Sequence, residues 1–452
     1  MELTRLLLDR IEKLNPRLNT YITVSRELAI RSAERAEKEL CGRGRQKSRR
    51  DRGPLHGIPI SLKDNIYTKD LRTTGGSLIL KDFVPLQDAP AVAALKNSGA
   101  VILGKTNMHE FAYGVTTENA HFGATRNPWD RERIAGGSSG GSAAAVSAGL
   151  CYGSIGTDTG GSIRIPASLC GVVGFKPGLG RVSPEDVIAL SPTLDSVGPL
   201  ARSVEDAALL LEPIFIRGKN EKRRLLSKEL SARTRRPKLG IPKEFFFDLL
   251  DPEVEATFRG AVRRMEKRGA RLKEVSLPEL QSTEEVGNQI AWAEATAYHQ
   301  QAGWFPAHAD QYSEDVYKRL ELGTKVTAIA YLEARAFCEK FKQQVFELFA
   351  ANDLDALVVP ATPMAATPLG QTSVEIRGTP YPTRAMLLRL NRPANLAGVP
   401  AVSVPCNLSK AGLPIGLQFI AEWNCEGRLL EIARLFELEF PWTARPPLTG
   451  FA

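Results

Sequence analysis

No stretch of this 452-residue chain approaches the roughly 18 consecutive apolar residues that a membrane-spanning helix requires, so no membrane partner is expected. Cysteine is sparse and scattered. Cys41, Cys151, Cys170, Cys338, Cys406 and Cys425 include no C-x-x-C pair, which argues against structural zinc and a disulfide scaffold and suits a reducing cytoplasm. The N-terminal MELTRLLLDRIEKLNPRLN has charges among its apolar positions, unlike the unbroken core of a secretory signal. Histidine is also short: beyond residue 136 only His299 and His308 occur, neither in a recognisable catalytic setting.

What is present reads as an ordinary folded protein, with 43% apolar and 24% charged residues. Much of the net charge of +8 falls in CGRGRQKSRRDRG (41–53) and in the region from Arg217 to Lys243. The first has no apolar periodicity and ends in Gly53–Pro54, so it reads as a solvated basic loop; 217–236 reads as a flexible connection. Neither carries the aromatic interleaving that base stacking uses, so nucleic acid is not expected as a partner. Apolar spacing predicts helices over 3–14, 26–40, 88–98, 142–150, 251–268, 281–300, 327–350 and 425–438. Strands are predicted in HGIPISLKDN (56–65), at 100–103, in SIGTD (154–158), and over 237–242, 270–275, 354–360, 400–405 and 414–420. Strands alternating with helices argue for an α/β fold with a largely buried sheet.

Two motif matches lack the surroundings their chemistry needs. Gly99-Ala-Val-Ile-Leu-Gly104-Lys105-Thr106 has the letters of a phosphate loop. Its intervening residues are those of a strand rather than an open nest of N–H groups, so nucleotide binding is rejected. Gly136-Gly137-Ser138-Ser139-Gly140 fits the G-x-S-x-G nucleophile elbow, but the polar, turn-rich RNPWDRERIAG before it supplies no feeding strand. An elbow hydrolase with Ser138 as nucleophile stays as the alternative.

Three segments carry the chemistry: SLKDN (61–65), GGSSGGS (136–142) and GTDTGGSIRIP (156–166). Lys63 follows an apolar run that would desolvate its ammonium. Desolvation favours the neutral amine, which can act as a general base. Two glycines before Ser162 allow a tight turn whose successive N–H groups can hold an oxyanion, an effect on the order of 3 kcal/mol per donor. Serine needs a positioned base, and a Ser–Lys arrangement supplies one without histidine.

These segments, in this order, closely resemble the amidase signature family of serine hydrolases. The likeness continues through GVVGFKPGLGRVS (171–183), LDSVGPLARSVEDAALLL (194–211), VVPATP (358–363), NLAGVPAVSVP (395–405) and LPIGLQFI (413–420). It implies one domain over 1–452, with a mixed central β-sheet covered by helices and basic loops at 41–53 and 217–236. It also implies hydrolysis of a carboxamide C–N bond through an acyl-enzyme. Lys63 would deprotonate Ser138, which takes the proton from the nucleophile Ser162 and later passes it to the leaving nitrogen. The resemblance puts a cis peptide before Ser138, an oxyanion hole at Thr159, Gly160, Gly161 and Ser162, and supporting roles on Asp158 and Arg164. No metal or organic cofactor is needed. The expected partner is a small-molecule amide, and a homodimer is admitted.

The motifs fix the reaction and not the substrate. GKTNMHEFAYGVTTEN (104–119) resembles the glutaminase component of glutamyl/aspartyl-tRNA amidotransferases, which would make the chain a glutaminase. Leu388, however, falls where that component has a glutamine-gripping aspartate. DVYKRLELGTKVTAIAYLEARAF (315–337) is closer to free-standing amidases, so a stand-alone amidohydrolase is the favoured expectation.

Overall fold

A computed structural model describes residues 1–42, 50–218, 226–230 and 235–448, with the side chains of 228 and 229 left out. Most of the two basic stretches therefore lies outside the described residues. Their described ends are anchored rather than merely solvated: Arg52 meets Glu39 at 2.6 Å, and Arg235 meets Asp355 at 2.6 Å.

The described chain forms one α/β domain around an eleven-stranded sheet. Its strands are β1 (Tyr21–Val24), β2 (Pro59–Lys63), β3 (Val101–Thr106), β4 (Gly153–Asp158), β5 (Val173–Lys176), β6 (Ser196–Ala201), β7 (Lys238–Pro242), β8 (Arg271–Val275), β9 (Ala356–Pro360), β10 (Ala401–Leu408) and β11 (Pro414–Ile420). They lie in the order β1-β3-β2-β4-β6-β5-β10-β11-β9-β7-β8. The sheet is mixed: β2 runs parallel to β3 and β4, whereas β6 is antiparallel to β4. Strands β7 and β8, beyond the second basic stretch, join the same sheet.

All residues of β2, β3, β4 and β6 are buried, which explains their near-continuous apolar and small-residue composition. The predicted helices occur at Glu2–Leu18, Arg26–Cys41, Pro90–Asn97, Gly140–Ser147, Pro252–Lys267, Thr283–Gln301, Ala328–Asn352 and Glu426–Glu439. Each predicted strand is also present. Three strands of the main sheet were not anticipated: β1, β5 and β6. The first two have only four residues, and β6 contains Gly198–Pro199, a pair that ordinarily marks a turn. The sheet accommodates the proline because β5 pairs with β6 only at Leu200 and Ala201, beyond that pair.

β3 contains the phosphate-loop lookalike. Lys105 is buried there and donates to the Ile66 carbonyl and to the Thr68 and Thr73 hydroxyls, the latter two at 3.1 Å. It pins the 64–74 segment to the sheet, which gives a structural purpose to a residue that had none in the sequence.

Candidate active site

Sheet register begins the site. Leu62 of β2 pairs with Ile155 of β4, so Lys63, at the end of β2, lies beside the end of β4. Its Nζ donates to the Thr157 hydroxyl at 2.7 Å and to the Ser138 hydroxyl at 2.7 Å. Ser138 reaches this point because helix Gly140–Ser147 packs closely on the sheet. Gly156 leaves room for Ser139, whose hydroxyl sits 2.9 Å from where a Cβ on that glycine would be. The Gly137–Ser138 peptide is cis.

Lys63 is fully buried, and burial lowers its pKa to about 7, against the opposing pull of Asp195 and Asp158. A neutral amine is therefore available near neutral pH. Asp195 is raised to about 6 by its own burial, although it accepts hydrogen bonds from the Thr159 hydroxyl and the amides of Leu190 and Ser191.

Ser162 follows a turn in which Gly161 adopts φ +123°, and a Cβ there would lie 2.5 Å from Asn391 Cβ. The Ser162 carbonyl accepts the amide of Ser139 at 3.1 Å, which ties this turn to the Ser138 loop. Among the described residues its hydroxyl hydrogen-bonds to none, and Ser162 lines a cavity together with Tyr113, Leu388 and Arg384. Thus Lys63 and Ser138 are in direct contact, and Ser162 is joined to them through the backbone.

The four anticipated amide donors are not equivalent. Gly161 gives its N–H to Asp158 at 2.8 Å, so that amide is already committed. Those of Thr159, Gly160 and Ser162 donate to no group among the described residues, and all three residues line the cavity. Asp158 also accepts the Ile163 amide at 3.1 Å, clamping the turn from below. Burial alone would raise the Asp158 pKa, but Arg164 holds it well below the usual carboxylate range. Arg164 spends its donors on Asp158 at 2.9 and 3.0 Å, Asn395 at 2.6 Å, Gln418 at 2.6 Å and the Asn391 carbonyl at 2.9 Å. Such a saturated guanidinium rigidifies the segments it joins.

Sequence reasoning did not single out Thr157, Asp195, Asn395 or Gln418. Gln418 was signalled as the lone polar side chain in PIGLQFI; Asp195 had no local signal. The elbow reading fares differently from its sequence form. The segment before Ser138 does contain a short strand, Asp130–Ile134, but it pairs with Arg126–Asn127 and bridges Pro368, outside the main sheet. His299 bonds the Tyr312 hydroxyl at 2.7 Å and packs on Phe111, and among the described residues it hydrogen-bonds neither serine.

A buried lysine–serine pair thus lies on this sheet near a second serine whose turn carries free amides. The chain belongs to the amidase family, whose model matches residues 2–430. It is similar to the glutamyl-tRNA(Gln) amidotransferase A-type subunit of Syntrophus aciditrophicus, 39% identical over 97% of this chain and 93% of that protein. Among solved structures it superposes on an amidase at TM-score 0.87, with 35% identity over 97% of this chain and 95% of the other. The native peptide amidase of Stenotrophomonas maltophilia superposes at TM-score 0.82, with 31% identity over 99% of this chain and 94% of the other.

Proposed function

We propose that the chain is a free-standing amidohydrolase that cleaves a small carboxamide to carboxylate and ammonia through an acyl-enzyme on Ser162. The observation that carries this reading is the 2.7 Å contact of the buried Lys63 amine with Ser138. Neutral Lys63 takes the Ser138 proton as Ser138 takes that of Ser162. The Ser162 Oγ adds to the substrate carbonyl, and the oxyanion settles against the amides of Gly160 and Ser162. The intermediate then collapses: the C–N bond breaks, the nitrogen takes a proton from Ser138, and Lys63 returns one to Ser138. Water enters by the same relay and releases the carboxylate. Asp158 and Arg164 act indirectly, by holding the turn that carries the donors. Six free cysteines suit a reducing compartment, and the cytoplasm is its proposed location.

A second reading has specific support, because relatives 36–40% identical over nearly the whole chain are amidotransferase subunits of that type. Against it, Leu388 lines the cavity and, among the described residues, no carboxylate side chain does, so no charge there opposes the ammonium of glutamine. A fluorophosphonate, followed by digestion and mass spectrometry, tests the chemistry. The adduct is expected on the peptide containing Ser162, and an adduct on Ser138 would return the elbow alternative.

A further inference from the structure

The cavity beside Ser162 has an uneven charge. Among the described residues its wall includes, besides Tyr113, Leu388 and small residues, two arginines, Arg384 and Arg392, and no acid. Among the described residues neither guanidinium lies within 4.0 Å of a carboxylate. Arg392, 6% exposed, is held by neutral groups: the Glu284 carbonyl at 2.8 Å and the Asn288 side-chain oxygen at 2.7 Å. Among the described residues the Arg384 guanidinium makes no hydrogen bond, and its Nε is buried without a partner. The nearby Arg319 differs, since Asp315 neutralises it at 2.8 Å. Burial, with help from Arg319 and Arg392, pushes the Arg384 pKa down to about 9, outweighing the opposing pull of Tyr113 and Asp315.

A buried charge without a counter-ion is costly, and a fold that keeps the buried Arg392 and the half-buried Arg384 on one cavity wall, neither in an ion pair among the described residues, reserves them for something that enters. Guanidinium matches a carboxylate in shape as well as charge, presenting parallel N–H donors to its two oxygens. We infer that the acyl part of the substrate carries a second, ionised carboxylate, held by Arg384 and Arg392 while its amide faces Ser162. The substrate class is thus a short-chain monoamide of a dicarboxylic acid. With no acid on the wall, an ammonium beside that carboxylate gains nothing and meets two cations. This rests on the reading of the Ser162 cavity as the amide-binding site.

Three amides of equal chain length separate the terms: 4-carbamoylbutanoate, which is glutamine without its α-amino group; glutamine itself; and neutral pentanamide. Each is titrated calorimetrically into the Ser162→Ala chain, which cannot turn over. The anionic amide is expected to bind at least tenfold tighter than pentanamide and tighter than glutamine. Arg384→Ala in the same background is expected to lose most of that preference, and Arg384→Lys to retain part of it, with melting curves confirming that both variants fold. Equal affinity for the anionic and neutral amides, or glutamine binding tightest, overturns the inference. Fluorophosphonate labelling of the unaltered chain separates the two ideas. An adduct on Ser162 without anion preference sinks the carboxylate site alone; anion preference without the adduct sinks the acyl-enzyme reading alone.

Discussion

At the scale of single residues, the decisive quantity is the free energy of one proton on Lys63. In water a lysine amine is protonated below about pH 10.4 and has no lone pair to offer. Burial lowers this to about 7. The proposed base is the neutral form, so turnover should rise with pH through a midpoint near 7 and level off above it. A midpoint near 10 in a pH–kcat/KM profile would remove lysine from the relay. Lys63→Ala should reduce kcat by about 10²–10⁴-fold, the usual range for a positioned general base. Lys63→Arg should not restore it, because guanidinium stays protonated at every working pH. The two serines separate in the same way. Ser162→Ala should abolish fluorophosphonate labelling, whereas Ser138→Ala should leave slow labelling, since nucleophile and donors remain. Equal loss in both variants would contradict the division of roles.

At the scale of elements, the Gly/Ser-rich run owes its composition to packing, which is also why it was legible. Helix Gly140–Ser147 approaches the sheet so closely that a Cβ on Gly141 would lie 2.4 Å from the Asn107 carbonyl oxygen and 2.6 Å from that of Thr20. Both are backbone atoms and cannot swing aside. Gly141→Ala should therefore cost about 2–3 kcal/mol in denaturant titration and lower activity with it. Gly260, inside helix Pro252–Lys267, has nothing within 4 Å of its added Cβ. There alanine should stabilise by about 0.5–1 kcal/mol, as expected of a helical site that only gains propensity. If both substitutions prove neutral, the close-packing account of the run fails. The strands missed from sequence follow the same logic in reverse. β6 is held by partners on both sides despite Gly198–Pro199, so tertiary pairing overrides a local turn signal. Lys63, Ser138 and Ser162 stood out because each sits in a segment whose composition is unusual for its neighbourhood. Asp195, Arg384 and Arg392 lie in unremarkable segments, and only the fold brings them to the same region of the molecule.

At the scale of the whole molecule, the question is whether the chain works alone. Its likeness to an amidotransferase component covers 97% of this chain, but the motif segments are common to hydrolases and amidotransferases and do not decide between them. The free-standing reading leans on the cavity wall, which among the described residues carries Leu388, Arg384 and Arg392 and no acid. The net charge of +8 does not compel a tRNA partner either, because the described ends of its basic stretches are paired with Glu39 and Asp355. Attraction that rests on phosphate neutralisation alone is weak and falls steeply with salt. The purified chain, with no other protein present, should therefore release ammonia from at least one small carboxamide, and glutamine should be among the poorer substrates in a coupled ammonia assay. Adding the other amidotransferase components and aminoacyl-tRNA should leave both rates unchanged. A chain that is inert alone but becomes a glutaminase in that mixture would overturn the free-standing reading, while leaving the Lys63–Ser138–Ser162 chemistry open to the labelling test.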